Sequence, residues 1–333
     1  MNSQERFMIP FLLRRLVQSI PTLLIASVLI FFVISLAPGD FLTPAKLNPN
    51  ISPEQIEILS RNFGLDRPVW EQYFRWMGNM LRGDFGLSFQ YQQPVLDVIW
   101  PRVKNSLWLV LLSTVLFYAI AIPVGVYGAV RQNSLGDKSI NVVLYFLLGF
   151  PSFFLALIVI YFILQFRNAT GLDVPIGGMT SNNFEELSGL GKVLDILKHL
   201  IIPATVLAIS DAAGLTRVIR GQMLEVMRSD YVRTARAKGV SERSVIWKHT
   251  FRNGILPIVA GIGGLLPAAI SGAGFMEVVF AYPGVTPMLL AALNTQDLYL
   301  VAGFTVITTV LLIIGNAISD LLLAVVDPRV KVA

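Results

Sequence analysis

The 333-residue sequence contains no cysteine. Disulfides, thiolate nucleophiles and Cys-based zinc or iron–sulfur sites are therefore excluded. Only two histidines occur, His199 and His249, which leaves no histidine cluster for a metal. Charge is also scarce. Asp, Glu, Lys and Arg make up 14% of the residues, against roughly a quarter in soluble domains. There is no G-x-x-x-x-G-K-[S/T] phosphate loop and no H-E-x-x-H pair, so neither nucleotide binding nor zinc proteolysis has its usual sequence support. No internal repeat is visible, which gives an inverted-repeat transporter no support.

What is present is apolar sequence. Hydrophobic residues make up 54% of the chain, too many for a soluble protein with so little charge to cover them. The bilayer is the better solvent. A span needs about 20 mostly apolar residues to cross about 30 Å of hydrocarbon. Six stretches meet this: Val17–Leu36, Leu107–Ala129, Ile140–Phe166, His199–Leu215, Ile255–Phe280 and Leu298–Val326. The fourth is interrupted by Asp211. The first is too long for a signal-peptide core and has no small-residue cleavage site after it, so an uncleaved span is expected. The expected fold is an all-α polytopic membrane protein with six transmembrane helices.

The net charge of +5 gains meaning from its placement. With the N-terminus inside, sixteen of the 26 basic residues fall in inner segments, nine of them between Arg217 and Arg252. The outer segments carry most of the acids. This bias puts both termini in the cytoplasm and argues against a nucleic-acid partner. It divides the chain into 1–37, an N-terminal tail and first span; 38–103, an external segment; 104–327, a core with spans two to six and a cytoplasmic loop at 221–254; and 328–333, a cytoplasmic tail. In the external segment Trp70, Tyr73, Phe74, Trp76 and Met77 recur at helical spacing, which predicts an amphipathic helix at the headgroup level. Pro123, Pro151, Pro203, Pro257 and Pro267 fall in or beside spans, where each removes a backbone donor.

The loop 229–251 reads SDYVRTARAKGVSERSVIWKHTF. Ser229 or Asp230 can cap a short helix that Gly239 closes. Tyr231, Thr234, Ala235 and Lys238 share one face, with Arg233 and Arg236 off it. Ser241 can cap a second helix, with Val245, Ile246 and Thr250 on its apolar side. Helices this short are marginal alone in water and need a partner surface. One reading is a basic loop resting on anionic lipid. The other is a plug for the groove of a soluble partner, with Tyr231 as anchor and Ala235 and Ala237 allowing close approach.

Asp211 has two readings. It lines a pathway, or it either pairs with Arg217 or sits close to the interface, and the second reading carries more weight. Asp320 reads as structural.

The stretch SDYVRTARAKGVSERSVIWKHTFRNGILP resembles the cytoplasmic coupling loop of ABC-importer permeases, in the form of the dipeptide/oligopeptide branch. FLLRRLVQSIPTLLIASVLIFFVISLAPGD, GLDRPVWEQYFRWMGNMLRGDFGLS, VVFAYPGVTPMLLAALNTQD and AISDLLLAVVDPRVK are similar to that branch too, in its B-type subunit. The general signature E-A-A-x3-G-x9-I-x-L-P is largely absent. Anchored on Gly239, its E-A-A falls on Arg233, Thr234 and Ala235, so a contact from the missing Glu has no counterpart.

The resemblance implies a type I ABC-importer fold in the bacterial inner membrane. It implies a second homologous permease, two ABC ATPase subunits and an external substrate-binding protein. Asp230, Tyr231, Arg233, Thr234, Ala235, Arg236, Lys238 and Gly239 would dock on an ATPase, and Asp211 is the candidate along the substrate pathway. The chain itself would be non-catalytic and without a cofactor, ATP and magnesium being held by the ATPases. Di- or oligopeptides are the expected cargo; relatives in the branch carry nickel chelates, glutathione or oligosaccharides. An ATP-independent channel or secondary transporter would be expected to show charged relays along several spans.

Overall fold

A computed structural model describes residues 17, 20–33, 35, 36, 42–46, 51–254 and 273–326. Among these the chain is helical, and the only strand-like pairing is a bridge between Leu87 and Pro94. Four helices are long and apolar enough to cross a membrane: Val95–Val130, Ser152–Thr170, Gly189–Met227 and Leu298–Ala317. The chain forms two compact units, one of Met1–Asn105 with Gly284–Ala317 and one dominated by Ser106–Pro283.

The first unit contains α1 (Ile20–Val33), α2 (Thr43–Lys46), α3 (Pro53–Phe63) and α4 (Val69–Met80). It also holds the start of α5 (Val95–Val130). Helix α3 begins with a reciprocal cap. Gln55 N–H donates to the Ser52 hydroxyl oxygen, and Ser52 N–H donates to the Gln55 side chain.

The expected amphipathic helix is α4, but its inner side packs on α1, whose described stretch, Ile20–Val33, is shorter than the expected span Val17–Leu36. Tyr73 and Trp76 are buried, with ring centroids 5.5 and 5.6 Å from Phe31. The hydroxyls of Tyr73 and Ser27 lie 2.9 Å apart. Trp70 and Phe74 stay exposed on the opposite side.

The second unit contains the rest of α5, then α6 (Leu135–Gly149), α7 (Ser152–Thr170) and α8 (Gly189–Met227). Here the expected third span, Ile140–Phe166, is corrected to two helices. Pro151 cannot donate a backbone hydrogen bond and pushes its predecessor out of the helical region. Phe150 accordingly sits at φ −110°, ψ 137°. Three rings bridge the break, with centroids 4.6 Å apart for Phe146–Phe150 and 5.3 Å for Phe150–Phe154.

The fourth span is corrected in the other direction. The apolar stretch His199–Leu215 is the middle of a 39-residue helix that runs straight through Asp211. Lys and Arg at its ends break the hydropathy but not the helix, because their long stems tolerate both settings. The sixth span, Leu298–Val326, is one helix as expected. Of the expected fifth span, residues 255–272 lie outside the described residues, as do the basic ends at Arg6, Arg14, Arg15, Arg329 and Lys331. Pro257, Pro267 and the Asp320 side chain also lie outside them.

Close packing in this unit depends on residues without side chains. A Cβ on Gly125 of α5 would stand 2.8 Å from Cβ and Cγ2 of Ile219 on α8. One on Gly128 would stand 3.1 Å from Arg220 Cδ and 3.2 Å from Asp137 Oδ1. Ordinary carbon contacts lie at about 3.5–4.0 Å, so α5 and α8 touch backbone to side chain here. Ala121, Val126, Ala129, Ala212, Ile219 and Met223 form the buried core around this contact.

Candidate functional site

Helix α8 hands over to a short helix, α9 (Asp230–Ala237). Ser229 takes the cap position, as expected, but its hydroxyl does not cap. It donates instead to the Val226 carbonyl at 2.6 Å, which ties the turn back to α8. Asp230, in the first turn, lies favourably at the positive end of the helix dipole. The far end closes as a Schellman motif. Gly239 N–H donates to Arg236 O at 3.0 Å and Val240 N–H to Ala235 O at 3.2 Å. Gly239 has φ +75°, a left-handed conformation that glycine reaches without strain.

The inner face of α9 is Val232 and Ala235, packed with Val245 and backed by Val226 and Val240. The expected face of Tyr231, Thr234, Ala235 and Lys238 is therefore corrected. Ala235 turns into the chain's own core, so it cannot offer close approach to a partner. Tyr231, Arg233, Thr234, Arg236, Ala237 and Lys238 are exposed, with Tyr231 at 46%. Val232 and Ala235 are the pair of small apolar residues that lets α9 sit flat, and an i, i+3 count alone does not separate them from Tyr231 and Thr234.

The second helix is also corrected. Only Glu242–Ser244 is α-helical (α10), and Val245–Phe251 is a π-helix. Val245 and Thr250 are buried in it as expected, while Trp247 is half exposed and meets Phe251 edge-on at 5.1 Å. The helix Arg252–Gly254 (α11) follows. Arg236 joins α9 to α10 through a two-pronged ion pair with Glu242, at 3.2 and 2.8 Å. The Arg236 hydrogen bond pulls the Glu242 carboxyl below its ordinary value, and Glu242 raises Arg236 in return. Both groups are solvent-exposed, so the pair contributes at most about 1 kcal/mol. Its effect is to hold the angle between the two helices.

The eight-residue helix α9 is closed at its C-terminal end, tied to α8 at its start and polar on its outer face. Residues 121–332 match the family model of the binding-protein-dependent transport system inner membrane component, and residues 8–111 match its N-terminal companion.

The chain belongs to this transport-system family.

Among its similar relatives is an oligopeptide transport system permease protein of Bacillus subtilis, 38% identical over 325 residues, covering 97% of this chain and all of the relative. A putative peptide permease protein of Brucella ovis is 38% identical over 329 residues, covering 98% of this chain and all of the relative. A dipeptide transport system permease protein of Escherichia coli is 33% identical over 340 residues, covering 97% of this chain and 99% of the relative.

For a membrane component of a binding-protein-dependent system, two aspartates stand out besides α9. Asp211 is apart from α9, 19 residues upstream on α8, and its side chain is exposed in the isolated chain. It has no ion-pair partner among the described residues. Arg217 does not pair with it but lies over the Tyr145 ring, 4.8 Å from the centroid, which overturns the pairing reading. The role of the other aspartate was not visible in the sequence. Asp137, at the start of α6, is buried and takes a two-pronged ion pair from Arg220 of α8. The two residues are 83 positions apart.

Proposed function

We propose that this chain is one of two permease subunits of an ATP-driven importer in the bacterial inner membrane, with di- or oligopeptides as cargo. The observation that carries the reading is α9. A capped helix with Tyr231, Arg233, Thr234, Arg236 and Lys238 facing outward, fixed to the end of a membrane-length helix, suits a docking lever for an ATPase. The peptide cargo is drawn from the relatives, whose names specify oligopeptide and dipeptide transport.

In this reading ATP and magnesium are held by two ATPase subunits, and this chain supplies no catalytic group. Closure of the ATPase pair pushes α9, and α8 carries the push into the membrane. An external binding protein delivers the peptide between this chain and a second, homologous permease. Asp211 faces that pathway, where its carboxylate suits a peptide's amino terminus. The six crossings and the cytoplasmic termini also belong to the proposal. The Asp137–Arg220 pair supports them, because it joins two segments that the charge bias independently assigns to one side.

The test is reconstitution of this chain in vesicles with its second permease, ATPases and binding protein, and measurement of labelled-peptide uptake. Uptake should require ATP and should stop when the ATPases are omitted. Full-rate uptake by this chain alone without ATP would instead make it a channel or secondary transporter. Refusal of peptides with uptake of a nickel chelate, glutathione or an oligosaccharide would keep the architecture and change the cargo.

A further inference from the structure

We infer that the Asp137–Arg220 pair is a clamp that makes α5, α6 and α8 move as one piece when α9 is displaced. The inference rests on the coupling role proposed above for α9.

Both oxygens of Asp137 are committed. Arg220 Nε donates to Oδ1 and Nη2 to Oδ2, each at 2.8 Å. Asn133 N–H adds a bond to Oδ2 at 2.9 Å, and the Asn141 amide adds one to Oδ1 at 2.9 Å. Asn133 reaches this position with φ +64°, a conformation that Asn tolerates better than most residues. The Asp137 side chain is 2% exposed and that of Arg220 24%. On the third side stands Gly128 of α5, where any side chain would press on both members of the pair. One turn earlier Gly125 seats Ile219, the neighbour of Arg220. Three helices therefore converge on one ion pair.

The fork geometry decides its role. Apolar packing resists separation but permits sliding. A guanidinium held by two parallel bonds to a carboxylate fixes orientation as well as distance. Buried ion pairs are poor devices for stability alone, since apolar replacements of similar volume often serve as well or better. Directional fixation is what this one adds. Its location suits the purpose: Arg220 lies seven residues before the end of α8 at Met227, about 10 Å along the axis. A push entering from α9 meets the clamp within two turns.

Asp137 and Arg220 are positioning residues, since neither is placed on the cargo pathway. The test uses the complete reconstituted transporter and reports the ratio of peptide imported to ATP hydrolysed. The cargo is radiolabelled trialanine, or whichever peptide the wild type takes up in the preceding experiment. Asp137→Asn and Arg220→Lys should keep hydrolysis while the ratio falls about tenfold, the size of a lost coupling contact. Arg220→Lys keeps the charge and loses the fork, so a wild-type ratio in it overturns the clamp. So does a parallel fall of uptake and hydrolysis, which marks a purely structural role. Should these variants fail to assemble, Gly128→Ala keeps both charges and presses on the pair. It should lower the ratio by about threefold, and an unchanged ratio overturns the inference. A wild type that imports without ATP sinks the importer reading itself, and the clamp with it.

Discussion

A single methyl group placed at two glycines should move stability in opposite directions. Gly125 on α5 and Gly221 on α8 are both helical. Replacing glycine by alanine in a helix removes backbone freedom from the unfolded chain and stabilises by about 1 kcal/mol when nothing obstructs it. At Gly221 nothing lies within 4 Å of the added Cβ, so Gly221→Ala should gain that amount. At Gly125 the new Cβ meets Ile219 Cβ and Cγ2 at 2.8 Å and Thr216 O at 3.0 Å. Ile219 is 1% exposed, and its Cβ is fixed to the α8 backbone, so no rotamer change relieves the clash. The helices must part by roughly 0.7 Å to reach ordinary contact. Overpacking of this kind costs about 1–3 kcal/mol, which outweighs the propensity gain.

The two variants should therefore differ by the overpacking cost, about 1–3 kcal/mol, or roughly 2–12 °C in midpoint at about 2–4 °C per kcal/mol. Thermal unfolding of the detergent-solubilised protein, followed by tryptophan fluorescence, measures the difference. If Gly125→Ala melts at or above the wild-type midpoint, the α5–α8 contact is not as close as described and the steric argument fails.

Gly239→Ala meets no atom within 4 Å but must hold φ +75°, at a cost of about 1–2 kcal/mol. Hydrogen exchange at the Val240 amide should speed up about 5–30-fold, and an unchanged rate would mean that the cap does not hold α9. Tyr231→Ala should weaken co-purification of the ATPase subunits by about tenfold or more, as loss of an interface aromatic does, while leaving the melting midpoint near wild type; equal recovery of ATPase would remove Tyr231 as an anchor. Asp211→Asn should reduce peptide uptake without reducing ATPase recovery, and unaltered uptake would take Asp211 off the pathway. The Asp137 carboxyl is held low, chiefly by its hydrogen bond from Arg220. Its stabilisation is thus complete above the ordinary carboxylate value near pH 4 and is lost as pH falls through the lowered one. The midpoint gap between wild type and Asp137→Asn should stay constant from pH 8 to 5 and shrink below about pH 4; a gap that closes already between pH 7 and 5 would contradict the pairing.

The ends of α9 were legible because turn chemistry is local: Ser229 takes the cap position, although its hydroxyl turns back to Val226, and Gly239 closes the far end. Its inner face was not, since eight residues give barely two turns. Tyr231 with Thr234 and Val232 with Ala235 fit the same spacing, and only the Val245 contact decides between them. Hydropathy found the middle of α8 and missed both ends, because a helix can leave the apolar layer without ending. It also merged α6 and α7, although Pro151 carried the correct signal, because both flanks are equally apolar. The π-helix has no cap or breaker to announce it. The Asp137–Arg220 clamp depends on how three helices pack, which neither short segment specifies alone.

The widened rings of Val245–Phe251 leave one more matter of geometry. Each takes up a residue beyond the α-helical count, and one residue corresponds to about 100° of winding. The compass bearing of Tyr231 relative to the chain after Phe251 is therefore set by chain arithmetic as much as by chemistry. Deleting one residue there would leave every outward side chain of α9 intact and aim all of them the wrong way.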